Sequence, residues 1–139
     1  MKNIPVLPIL MMTILLAACA GKTDSPSLAG SSWKLVNLGD QPALPDTTAT
    51  LTFDKDGQAS GNASCNSFGG PYEVKDDTLT FGPLMSTMMA CLEPGVMEQE
   101  AAYLEALAQT ASYSVTGERL AIFDDNGSIL AEFAKEQAD

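Results

Sequence analysis

Ala49-Thr50-Leu51-Thr52-Phe53-Asp54-Lys55-Asp56-Gly57 decides the architecture of this chain. Ala49, Leu51 and Phe53 alternate with two threonines, a period of two that puts apolar side chains on one face of a strand and hydroxyls on the other. The next four residues are a hairpin turn in which Gly57 supplies the positive φ that side chains resist, so Gln58 to Ala63 is expected to return as an antiparallel partner. Its small residues let another element pack close. The same punctuation recurs outward. Ser32 to Leu38 reads as a strand with Trp33 and Leu35 on one face. Tyr72 to Val74 and Thr78 to Phe81 flank Asp76-Asp77, while Leu120 to Phe123 and Ile129 to Phe133 flank Asp125-Asn126-Gly127. Asn-Gly between apolar runs is the strongest local hairpin signal. Short strands at this spacing predict an antiparallel, mainly β domain.

One segment departs from that pattern. Met97, Ala101, Leu104 and Ala108 follow helical spacing and Leu107 widens the stripe, with Pro94 near the first turn and Glu93, Glu98 and Glu100 at the positive end of the dipole. The spacing predicts a helix over 95–110, its apolar stripe packed on the sheet and its acidic face in water.

The amino terminus carries an address. Lys2 precedes an uncharged, mostly apolar run from Ile4 to Leu16 that is too short, and interrupted by Pro5 and Pro8, to span a bilayer. Leu16-Ala17-Ala18-Cys19 then resembles the bacterial lipobox, against the competing reading of an ordinary secretory leader with a chance cysteine after the cut. The resemblance implies cleavage before Cys19 and acylation of that residue, whose several chains hold a protein at a membrane nearly permanently. In a Gram-negative bacterium Ala20, where an Asp would retain the protein at the inner membrane, implies the outer membrane with the domain facing the periplasm. Gly21 to Ser32, rich in Gly, Ser, Thr and Pro, reads as a tether. The expected organisation is a signal peptide over 1–18, a lipid-anchored flexible linker over 19–31, one folded domain over 32–135 and a disordered tail over 136–139.

The net charge of −11 argues against nucleic acid and anionic headgroups as partners, since both need basic patches. There is no histidine, so Cys65 lacks the usual base of a thiol nucleophile, and no Asp or Glu pair stands in a recognisable acid–base context. Asp54-Lys55-Asp56-Gly57 and Asp124-Asp125-Asn126-Gly127 lack the further oxygen ligands of a calcium loop and read as turns. The expectation is a protein without catalysis, metal or cofactor. In an oxidising compartment Cys65 and Cys91 are expected to pair, which in the chain-entropy picture contributes roughly 3 to 4 kcal/mol. A pair of free thiols buried as small hydrophobes is the competing reading.

The most specific stretch runs from Gly61 to Cys91. It holds Gly61, Cys65-Asn66-Ser67-Phe68, Gly70, Tyr72 and then Ser86-Thr87-Met88-Met89-Ala90-Cys91. Asn66 can bond its own backbone in a tight turn, Phe68 and Tyr72 can bury rings on one side, and the cysteines can clamp the hairpin to the segment entering the helix. These blocks resemble the META domain family, the heat-shock protein HslJ type, in which G-x-x-x-C-N-x-F-x-G-x-Y precedes T-x-M-A-C. The likeness runs from Trp33 to Phe133 and implies a small antiparallel β-barrel-like sheet with one helix packed against it, a mainly β (α+β) fold. It carries over Gly61, Asn66, Phe68, Gly70, Tyr72, Thr87 and Met89 as motif residues, structural or binding. Two positions depart from the family: Ser64 stands where Gly is frequent, and Met88 where Arg is frequent.

Two functions follow as expectations. One is a non-catalytic outer-membrane lipoprotein that supports envelope integrity or tolerance of heat and hydrophobic antibiotics. The other is a carrier, or a module like the pilots of outer-membrane secretins, whose sheet–helix gap binds an acyl chain or a partner's peptide. The cluster Met85, Met88, Met89 and Met97 suits an adaptable apolar surface, and fits core filling equally.

Overall fold

The computed structural model describes residues 27–137. Cys19 and the segments expected to form the signal peptide and most of the tether lie outside the described residues. In chain order the elements are β1 (Ser31–Leu38), β2 (Gln41–Pro42), β3 (Thr50–Phe53), β4 (Gln58–Asn62), β5 (Ser67–Lys75), β6 (Thr78–Phe81), β7 (Met85–Ser86), α1 (Val96–Ala108), β8 (Ser112–Thr116), β9 (Arg119–Phe123) and β10 (Ile129–Lys135).

Neighbouring strands pair antiparallel in the order β10-β9-β8-β6-β5-β4-β3-β1, and β1 then pairs back onto β10 from Trp33↔Lys135 to Leu38↔Ala131. The sheet is therefore a closed barrel of eight strands, with β2 attached to β1 and β7 to β5. Closure removes the unpaired edges that make small sheets stick to one another. The thinnest seam is β6 against β8, with a single register pair, Thr78↔Ser112. Backbone bonds from Leu79 to Ala111 O and from Tyr113 to Asp77 O reinforce it.

Alternation places the apolar residues inward. Leu51 and Phe53 of β3, Leu79 of β6, Leu120 and Ile122 of β9, and Phe133 of β10 are all fully buried, with Trp33 and Leu35 of β1 beside them. Phe53 meets Tyr72 edge-on at 4.9 Å and stacks on Phe81 at 6.1 Å. Gly61 is dictated by close approach: a Cβ there would stand 2.0 Å from the Thr50 carbonyl oxygen across the sheet. Gly70 is constrained likewise, 2.5 Å from Pro83 O.

The barrel and single packed helix agree with the expected fold, and several details differ. β5 begins at Ser67, earlier than the expected Tyr72, because its first residues pair with β4 and β7. β8 was not anticipated, although Tyr113 and Val115 alternate ahead of Gly117, which takes φ 60° in the turn to β9. Order also starts before Ser32: Leu28 is buried in the core and Gly30 N–H donates to Phe53 O at 2.7 Å.

The largest correction concerns the helix. α1 buries Val96, Gln99, Glu100, Tyr103, Ala106 and Leu107, while Ala101 and Ala108 are exposed. The inward face is thus rotated from the Met97-Ala101-Leu104-Ala108 stripe. The apolar count is low on either face, and the inward positions are chosen by Tyr103 filling the barrel mouth and by two polar side chains that find complete sets of partners.

Candidate functional site

The register defines two ends of the barrel. Ser31 of β1 stands opposite Phe53, and Phe53 opposite Ala59, so the chain enters at the end formed by the 54–57 turn. Asn62, Ser67 and β7 lie at the other end, where α1 also packs. Tyr103 plugs this second end: its ring meets Phe68 at 5.8 Å and Phe133 at 6.0 Å, and its hydroxyl donates to Thr50 O at 3.0 Å. Burial holds its phenol well above its ordinary pKa of 10.0.

Asn66 is the hub of this end. It is only 2% exposed. Its amide Nδ2 donates to Glu100 Oε1 at 2.6 Å and to Met89 O at 3.0 Å. Its Oδ1 accepts from Thr87 Oγ1 at 2.8 Å and from Met89 N–H at 2.7 Å. Two donors and two acceptor sites are thereby all used. The expected bond from Asn66 to its own backbone is not what forms; the side chain reaches across to the segment beyond β7. Glu100, 6% exposed, also accepts at Oε2 from the backbone N–H groups of Asn66 at 2.6 Å and Cys65 at 3.1 Å. A buried carboxylate with no cation beside it among the described residues is tolerated here because three N–H groups solvate it.

Cys65 and Cys91 are joined by a disulfide with Cα atoms 6.0 Å apart. Thr87 Oγ1 accepts from Ser67 N–H at 3.2 Å, and Thr87 N–H donates to Ser67 O at 3.0 Å. The segment from Gly82 to Leu92 is consequently fixed at β7, Thr87, Met89 and Cys91. It contains no charged residue in a chain of net charge −11. Leu84 packs on the core, but the larger apolar side chains beyond it face water: Met85 is 80% exposed, Met88 96%, Met89 58% and Leu92 93%. Core filling is excluded for these three methionines, whereas Met97 is half-buried and its sulfur accepts from Cys91 N–H at 3.5 Å.

Gln99, one residue before Glu100, does for the 43–48 loop what Asn66 does for the methionine loop. Its Oε1 accepts from Leu44 N–H at 2.6 Å, and its Nε2 donates to Ser64 Oγ at 2.7 Å and Thr47 Oγ1 at 3.0 Å. Beside it opens a cleft of about 680 Å³ whose walls include Asp46, Thr47, Ser64, Cys91 and Glu93. Ser64 takes φ 96°, a left-handed conformation that favours glycine, at the position where Gly is frequent in the resembled family.

Of the motif residues, Asn66, Thr87, Met89, Cys65 and Cys91 meet in one cluster, with Phe68 beneath it against Tyr103 and Gly61 and Gly70 allowing the close approaches described above. Tyr72 is not part of it. It sits toward the other end, its hydroxyl donating to Asp54 O at 2.8 Å, its pKa raised by burial and then by the Asp54 charge. Sequence reading missed Gln99, Glu100, Ser64 and Thr47. The available signal was Tyr103: a large aromatic at 103 with Val96 and Leu107 fixes the inward face, and that face contains 99 and 100. The gap between sheet and helix, where a ligand was envisaged, is filled by Tyr103, Phe68, Leu107 and Phe133.

The family model for the META domain matches residues 26–137. A protein from Burkholderia xenovorans solved by NMR is 33% identical, with TM-score 0.67 over 80% of this chain and 85% of that one. The crystal structure of a DUF4847 family protein from Bacteroides vulgatus, 17% identical, shares the fold at TM-score 0.63 over 81% and 96% of the two chains. No curated protein matches the chain.

Proposed function

The chain belongs to the META domain family, and from that premise we propose that it is a non-catalytic lipoprotein of the outer membrane, held through Cys19, whose domain supports envelope integrity by presenting the Met85–Leu92 loop to a protein partner in the periplasm. The observation that carries the reading is the disproportion between the clamp and what it holds. Asn66 and Glu100 bury polar atoms, each with a partner, to fix a loop whose methionine and leucine side chains stay outside the core. Fixing an apolar display in advance lowers the ordering cost of docking, and methionine side chains adapt to many partners. Patches of this kind on a soluble surface mark contact sites.

Position supports a protein partner over the anchoring bilayer. The chain enters the barrel at the 54–57 end, and the loop stands at the opposite one. Only eight residues separate Cys19 from Leu28, so an anchor at Cys19 would favour the 54–57 end facing the membrane and the loop facing away from it. A carrier function in the sheet–helix gap would require displacing Tyr103.

The test is complementation of a deletion strain challenged with heat, detergent and novobiocin. Wild type is expected to restore growth. A variant carrying Ser at Met85, Met88, Met89 and Leu92 is expected to accumulate folded at the membrane and fail. Full rescue by that variant removes the loop from the function, and a deletion strain indistinguishable from its parent removes the envelope role. Incorporation of labelled palmitate that is lost in Cys19→Ala tests the anchor separately.

A further inference from the structure

Among the described residues, three of the four most exposed large apolar side chains are thioethers, clustered in five residues. We infer that Met85, Met88 and Met89 form a reversible oxidation site, taking oxygen from a two-electron oxidant such as hypochlorous acid and returning it to a methionine sulfoxide reductase. The inference does not rest on the docking role of the loop.

Cys65, the tryptophan and the tyrosine of the barrel mouth are withdrawn from solvent. Cys65 and Cys91 are already a disulfide, Trp33 is buried, and Tyr103 is sealed in the barrel mouth. Met97 is an internal control: it lies on the same end of the barrel, yet it is half-buried and its sulfur accepts the Cys91 N–H. Reaction follows exposure of the sulfur lone pairs. The lone pair attacks the oxygen of hypochlorous acid; the S–O bond forms as the O–Cl bond breaks, chloride leaves and the hydroxyl proton passes to water. Sulfur loses the two electrons that the oxidant gains. In the reverse step two thiols of the reductase become a disulfide and the oxygen departs as water.

The consequence is local. A sulfoxide turns a flexible apolar side chain into a polar one. The bonds that hold the loop run through Asn66, Thr87, the Met89 backbone and the disulfide, none of which involves the three sulfurs. Oxidation therefore changes the loop's surface from apolar to polar with the fold intact.

The experiment treats the purified full-length protein with substoichiometric hypochlorous acid and quenches it with free methionine. After unfolding, reduction, alkylation and proteolysis, fragment-ion mass analysis assigns added oxygen separately to Met85, Met88, Met89 and Met97. One added oxygen is expected on each of the three loop sulfurs, with Met97 reacting roughly tenfold more slowly. Sulfoxide reductases should remove the loop oxygens from the still-folded protein. In M85L/M88L/M89L, oxygen uptake within residues 27–137 should fall to the Met97 level while the melting temperature is unchanged. Met97 keeping pace with the loop overturns the site, as does loop oxidation that unfolds the domain or that the reductases cannot reverse. Each readout is a mass or a melting temperature, so failure here is distinct from failure of the docking reading.

Discussion

Replacing Asn66 by Ala measures the clamp directly. The substitution removes four hydrogen bonds, one to a buried carboxylate and three to the loop. The charge-assisted bond to Glu100 contributes roughly 1.5–3 kcal/mol, and each neutral one roughly 0.5–1.5. Thr87 is exposed and Met89 more than half so, which lets water replace much of what the loop loses. Glu100 keeps its two backbone donors. The net loss is about 3–4 kcal/mol, a large share of the 5–15 kcal/mol that holds a domain of this size together. At about 4–8 °C per kcal/mol for a small domain, the melting temperature should fall by about 12–32 °C. Thermal unfolding followed by circular dichroism reads that shift, and hydrogen exchange at the Met89 amide should accelerate in the folded variant beyond any change at β9. Thr87→Ala alone should cost about 1 kcal/mol, and added to Asn66→Ala it should cost less than it does alone, because the two share a bond. An Asn66→Ala protein that melts within about 2 °C of wild type, or strict additivity with Thr87→Ala, would refute the clamp.

Reducing the Cys65–Cys91 bond, or replacing both cysteines by Ser, releases a connection across 26 positions and should lower stability by about 3.5 kcal/mol in denaturant titration. At Ser64 the left-handed backbone and the bond from Gln99 pull in opposite directions. Ser64→Ala loses the bond and keeps the strain, costing about 1 kcal/mol, while Ser64→Gly relieves the strain and should be nearly neutral; a Gly variant less stable than the Ala variant contradicts this. Tyr103 gives a pH dependence. Its folded pKa lies well above its unfolded value, so the unfolded chain loses the proton first. The stability this contributes is complete below about pH 10 and is lost as pH rises from there toward the folded pKa. Tyr103→Phe should unfold more easily at pH 8, by about 1 kcal/mol for the lost bond to Thr50 O, yet lose less stability between pH 9 and pH 11. Parallel curves for the two proteins would show that the phenol does not titrate on unfolding.

Much of the barrel was legible because its rules are local. Alternation marked β3, and Gly or Asn-Gly marked the turns that follow β3 and β9. Closure was not local. Nothing in Trp33-Lys34-Leu35 announces that it will lie against Phe133 and Ala134 on one side and Thr50 and Leu51 on the other. That pairing joins the two ends of the domain, and only the family likeness implied it. β8 was lost for a different reason: Ser112, Ser114 and Thr116 dilute a short strand until its alternation is hard to separate from a loop.

The site was half legible for a physical reason that also bears on function. Gly61, Cys65, Asn66 and Thr87 announced themselves as unusual residues at close spacing, but their role depended on the helix, and helical periodicity was read from apolar residues alone. On that criterion Gln99 and Glu100 belong in water. They face inward because each finds a full set of partners, which a hydrophobic pattern cannot show. The misreading had a counterpart in the methionines: with Glu100 outside, the methionines were free to be core; with Glu100 inside, its hydrogen bonds tie Asn66, Asn66 ties Met89, and the sulfurs are left outside. A charge that faces inward and an apolar loop that faces outward are thus two ends of one chain of contacts. Local propensity is overruled at both ends, and such departures concentrate where a surface is shaped for use. An apolar residue at position 100 could fill the same volume, but it could not hold the Cys65 and Asn66 amides, and Asn66 would bond Thr87 and Met89 without the carboxylate that orients its own amide.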